Sequence, residues 1–114
     1  MRPAVVTLVA AGGAANSTPI RVNWRQSPFN MSLAFKDSGT TTGFTVQYTM
    51  DEPSGFASAA TWNSAGTWFD HPVMAGLKAN NMGQIDLPVQ GVRLHCDASG
   101  TDTGTLTITQ GQNG

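Results

Sequence analysis

Three features of this sequence predict an all-β fold, an antiparallel β-sandwich of jelly-roll type. Apolar and polar residues alternate with period two in several segments, glycine-bearing polar connectors separate them, and no stretch carries a helical apolar stripe. Together they give seven or eight short strands at the spacing of a sandwich.

The elements follow in order. The start, "MRPAVVTLVAAGGAAN", has the Arg2, short apolar run and small residues near Ala15 of a secretory signal. Its run is minimal and Thr7 interrupts it, so residues 4–10 read as a first strand. "IRVNW" (20–24) turns Ile20, Val22 and Trp24 inward. In "FNMSLAFK", Phe29, Met31, Leu33 and Phe35 face the core and Asn30, Ser32, Ala34 and Lys36 face away. In "FTVQYTM", Phe44, Val46, Tyr48 and Met50 alternate with Thr45, Gln47 and Thr49. "QIDLPV" (84–89) is a further strand, and "VRLHC" sets Val92, Leu94 and Cys96 against Arg93 and His95. Leu106 and Ile108 alternate with threonines in the last strand. "DSGTTTG" (37–43) and "DASGTDTG" (97–104) read as hairpin loops, where Gly39, Gly43, Gly100 and Gly104 supply positive φ.

The chain is read as one domain, residues 1–114, long enough to bury its own core. Residues 1–24 form a strand or arm able to pair with a neighbour, and residues 51–83 form one long irregular loop with a short strand near Thr67–Phe69. That loop carries Phe56, Trp62, Trp68 and Phe69, which either cap an end of the sandwich or face a partner.

Composition narrows the function. Only 11% of residues are charged and the net charge is −1, which suits either a surface covered by other protein or a neutral β-domain. The six Lys and Arg residues form no run, so the basic face of a nucleic-acid binder is missing from the sequence. No apolar stretch approaches the ~20 residues of a membrane helix. The single cysteine forms no internal disulfide.

Reactive chemistry finds little support. A Cys96–His71–Asp70 nucleophile needs an exposed thiol beside an oriented imidazole, yet Cys96 shares the inward face of Val92 and Leu94. His71, His95 and Asp97 lack the ligand spacing of a zinc site. Asp51–Glu52 before Pro53 reads as an exposed turn, not a glycosidase pair. No cofactor is expected, and the protein reads as a non-enzyme. A sugar-binding or adhesin-like module, stacking sugar rings on Trp62 and Trp68 beside Asn63, is the alternative.

The segments "RQSPFNMSLAF", "VQYTMDEP", "TWFDHP" and "DLPVQGVRLHCDASGTDTGTLTITQG" resemble the small decoration, or cement, proteins of tailed-bacteriophage capsids. The resemblance covers most of the chain from about Arg25 onward and leaves residues 1–24 and Cys96 unmatched. It implies a sandwich module made in the host cytoplasm and added to the outside of an assembled head, where it bridges major-capsid subunits, often as paired copies. A homodimer is therefore expected, with the major capsid protein as partner and neither nucleic acid nor membrane. Under that reading Asp70 caps a backbone turn and Pro72 fixes the exit of the chain. The interface candidates are Trp24, Arg25, Phe56, Trp62, Trp68, Phe69, Val5 and Val9.

Overall fold

The computed structural model describes residues 4–22, 30–86 and 88–110. Its elements are β1 (Ala4–Val9), β2 (Ala15–Asn16), β3 (Ile20–Arg21), β4 (Met31–Asp37), β5 (Phe44–Thr49), α1 (Ala59–Ala65), β6 (Trp68–Asp70), β7 (Asn81–Ile85), β8 (Gly91–Cys96) and β9 (Thr103–Gln110). They form two antiparallel sheets, ordered β1-β9-β4-β7 and β2-β8-β5-β6, with β3 also on β8. The sheets pack together as the expected all-β sandwich.

Alternation translates directly into the core. Met31, Leu33 and Phe35 of β4 are buried, while Ser32, Ala34 and Lys36 between them are exposed. Val46 of β5, Val92, Leu94 and Cys96 of β8, and Leu106 and Ile108 of β9 are sealed between the layers with no accessible surface. Each such side chain contributes roughly 1.5–3 kcal/mol on leaving water. Phe29 lies outside the described residues, as do the interface candidates Trp24 and Arg25.

The strand through β2 and β3 is one edge strand broken in the middle. Asn16 pairs with His95 and Ile20 with Val92, so Thr18 and Pro19 together oppose Arg93. That extra residue is a bulge, and Pro19, which lacks an N–H, is tolerated there. The Ser17 side chain restores one lost bond by accepting from the Leu94 N–H at 2.8 Å.

Four expectations need correction. Residues 51–83 are only partly irregular, since they hold a 3-10 turn at Pro53–Gly55, then α1, β6 and the start of β7. Helix α1 has seven residues, too few for a periodic stripe, and its start is set by Ser58, whose side chain accepts from the Thr61 N–H. The strand expected at 84–89 is instead Asn81–Ile85, ending before Pro88, which cannot donate to a ladder. Met50, expected inward, is 50% exposed, while Thr49, expected outward, is buried. The chain leaves the sheet after Thr49, whose hydroxyl donates to Thr67 O at 2.7 Å and accepts from the Asp51 N–H at 3.1 Å.

The connectors 37–43 and 97–104 are not the expected hairpin loops, since each crosses from one sheet to the other, and their glycines serve close approach, not positive φ. Among the described residues only Gly12 and Gly76 have positive φ. A Cβ on Gly104 would lie 2.7 Å from Cε1 of Phe44 and 3.0 Å from Cε1 of Phe35. Those two rings pack 5.3 Å apart in the core and cannot swing away. The loops themselves are tied by carboxylates: Asp102 accepts from the N–H groups of Thr41 and Thr42, and Asp97 from those of Gly43 and Ser99. Ser99 and Gly43 also hold the Asp97 carboxyl below its ordinary range.

Gly104→Ala is therefore expected to destabilise the fold by about 1–3 kcal/mol through overpacking. Thermal unfolding followed by circular dichroism checks this, and an unchanged midpoint would contradict the packing described.

Candidate functional site

Two features of the surface could carry function, and they differ in kind. The first is an aromatic–arginine cluster on the outer face of the β2-β8-β5-β6 sheet. Register places Arg93 beside Gln47 and Gln47 beside Asp70, one row across three strands. Helix α1 lies over this face and seats Trp62 on Gly91, where a Cβ would stand 2.4 Å from the Trp62 ring. Trp62 is 1% exposed, and its Nε1–H donates to Asp51 O at 3.1 Å. Trp68 packs against it with ring centres 5.5 Å apart and donates from Nε1 to Trp62 O at 3.3 Å.

Arg93 closes the cluster. Its guanidinium carbon lies 4.3 Å from the centre of the Trp68 ring. Nε donates to Gln47 Oε1 at 2.8 Å, and Nη1 donates to both the backbone and side-chain oxygens of Asn63. Gln47 in turn donates to Asp70 Oδ1 at 2.9 Å, and Asn63 to Ser17 O at 3.1 Å. Burial lowers the Arg93 pKa to about 10, so the cation persists at neutral pH. The cluster pins α1 and the broken edge strand to the sheet. It is a support rather than a reactive centre.

The second feature lies where the two sheets part, between β6 and β7. Tyr48 of one sheet and Ile85 of the other line a cleft of about 360 Å³, rimmed by His71, Pro72 and Val73. His71 builds the rim. Its Nδ1 accepts from the N–H groups of Val73 (3.1 Å) and Met74 (3.0 Å). The ring proton therefore sits on Nε2, which donates to Gln84 O of β7 at 2.9 Å. One imidazole thus folds the 71–74 turn and ties the two sheets together. Met74 plugs the space beneath with no exposure, and its carbonyl accepts from the Val46 N–H at 2.9 Å. Val73 on the rim is 69% exposed, and Phe69, paired in register with the lining Tyr48, is 50% exposed. Met82 is 77% exposed but pairs with the outward Ala34, so it lies on the outer face of its sheet and not in the cleft. The Phe69 ring leans on Tyr48, 6.2 Å between centres.

The sequence-derived candidates fall into three groups. Phe69, Val5 and Val9 are exposed and available to a partner. Phe56 and Trp68 are half-buried. Trp62 is a correction: it is internal, because the bare backbone at Gly91 makes a seat for its ring. Among the described residues Asp70 caps no turn; it accepts from Gln47 across the strand pair instead. Cys96 is buried with its sulfur toward Gly13 O, and His95 is engaged with Asn16 Oδ1 at 2.7 Å. That Tyr48, Val73 and Ile85 line a cleft escaped the sequence reading, as alternation says which way a residue points but not where two sheets diverge. Arg93 was legible only as one of two polar residues, with His95, within "VRLHC".

Neither a scan against protein-family models nor a search of curated proteins returns a match for this chain.

His71→Phe keeps the ring volume but removes all three hydrogen bonds. It should lower stability by about 1–3 kcal/mol and speed hydrogen exchange at the Val73 and Met74 amides. Unchanged exchange at both amides would contradict the role assigned to the imidazole.

Proposed function

We propose that this protein is a non-enzymatic decoration protein. In this reading it binds the outside of an assembled phage head, bridges neighbouring major-capsid subunits and strengthens the shell. The observation that carries the reading is the pair of exposed apolar groups at the cleft between the sheets, Val73 on its rim and Phe69 against the lining Tyr48. Large apolar groups of this kind, one on a strand and one on a turn held by His71, on a weakly charged surface, suit adhesion to another protein.

The strand order supports a jelly-roll reading. With β2 and β3 counted as one broken strand, the sheets run 1-8-3-6 and 2-7-4-5, an interleaved pair of Greek keys. A partner that binds only the assembled shell stabilises it by its binding free energy at every copy. Many modest contacts repeated over a closed shell then sum to a large effect. The sugar-binding alternative draws less support from the tryptophans. Trp62 is enclosed, and the half-buried Trp68 has one face taken by Arg93.

Co-sedimentation with undecorated, expanded phage heads tests the proposal. The protein should pellet with the heads, and Phe69→Asp combined with Val73→Asp should weaken this at least ~10-fold, about 1.4 kcal/mol, without unfolding the chain. Failure to bind any expanded head, or full binding by the double variant, would contradict it. Specific capture on a glycan array would favour the alternative.

A further inference from the structure

Every sheet edge carries backbone donors and acceptors that invite another strand, and folded proteins normally blunt them. Among the described residues the sandwich has four edges, formed by β1, β7, β6 and the broken strand β2–β3. Three of them are blunted by the chain itself. On β7, the outward Gln84 carbonyl is taken by His71 and the Met82 N–H by Asn81 Oδ1 at 2.8 Å. The β2–β3 edge carries the bulge and Pro19, and its Ser17 carbonyl is taken by Asn63. Strand β6 has only three residues.

Strand β1 is different. Its register on β9 continues through Ala10 N–H to Asp102 O (2.9 Å) and Gly12 N–H to Gly100 O (3.2 Å). Ala4, Val6 and Leu8 therefore turn their backbone groups toward β9, and Val5, Thr7 and Val9 turn theirs to the open side. Among the described residues no strand pairs with that side. Val5 and Val9 are also 60% and 62% exposed, and β1 has no charge, bulge or proline within it.

We propose that β1 pairs antiparallel with β1 of a second copy across a two-fold axis through Thr7, joining two four-stranded sheets into one. The sequence of the strand is self-complementary in that register. Thr7 meets Thr7, Val5 meets Val9 of the other copy, and Val6 meets Leu8, so like faces meet like faces. Each copy donates its Val5, Thr7 and Val9 N–H groups, the three left open by β9. The exposed valines then cover one another on the solvent face. Because no residue of Ala4–Val9 is charged, the two copies meet without like-charge opposition, a condition that any strand carrying a single central charge would break. A two-fold contact of this kind closes on itself and stops at the dimer. The inference concerns the free protein and does not depend on capsid binding.

Sedimentation equilibrium of the full chain over a concentration series tests it. The apparent mass should rise from 11.9 kDa to twice that value. Thr7→Pro should hold the protein at the single-chain mass, since its N–H belongs to the open side and its loss leaves the β9 ladder intact. V5K/V9K should also stay single, whereas V5K/V9E should recover the dimer, because each new cation then faces an anion of the other copy. T7C should form a covalent dimer on mild oxidation while V5C alone should not, since only position 7 lies on the axis. Circular dichroism of each variant confirms folding. A constant single-chain mass, a stoichiometry other than two, a dimer indifferent to Thr7→Pro, or cross-linking of V5C as readily as T7C would each overturn the proposal.

Discussion

The spacing of the two sheets depends on Phe44 lying against bare backbone at Gly104. With no Cβ in the way, the ring enters the layer and meets Phe35, and around this pair Leu94, Cys96, Leu106 and Ile108 close without exposed surface. The interior of such a sandwich is apolar and dense, so volume errors there are felt throughout. Once the layer is filled, the remaining polar residues are used at its margins. Carboxylates of Asp97 and Asp102 gather the loops at one end, and His71 joins the sheets at one side.

The outer face of the β2-β8-β5-β6 sheet has a second, smaller packing unit. Trp62 on Gly91, Trp68 against Trp62 and Arg93 across Trp68 hold α1 in place. A buried arginine without its hydrogen bonds would be costly, and here Gln47 and Asn63 satisfy it with neutral oxygens. That arrangement uses up both tryptophans of the 51–83 segment as structure. What remains for a partner is the cleft between β6 and β7 and the open edge of β1.

Much of the fold was legible in the sequence, for physical reasons. Period two in "MSLAFK" and "TLTI" requires one buried face, and the strands lie where it does. Cys96 was correctly read as a core residue because it shares parity with Val92 and Leu94. Helix α1 was not legible, as seven residues are too few to show a stripe and its signals, Ser58 at the start and Gly66 at the end, are common loop residues. Trp62 and Trp68 could not be placed either. Their burial depends on Gly91, over twenty residues away, and on Arg93 pointing outward from its strand. The cleft arises from the divergence of two sheets, which no local pattern encodes.

The sealed apolar layer is the premise of the adhesive role proposed for this protein, and Cys96 reports on it directly. Alkylation of the native chain by iodoacetamide near neutral pH, compared with the unfolded chain, reads the access of water and reagent to that sulfur. The account predicts slow labelling that speeds up only as the protein unfolds, because Cys96 is fully enclosed. Fast, stoichiometric labelling of the folded protein would show an accessible thiolate and would contradict it.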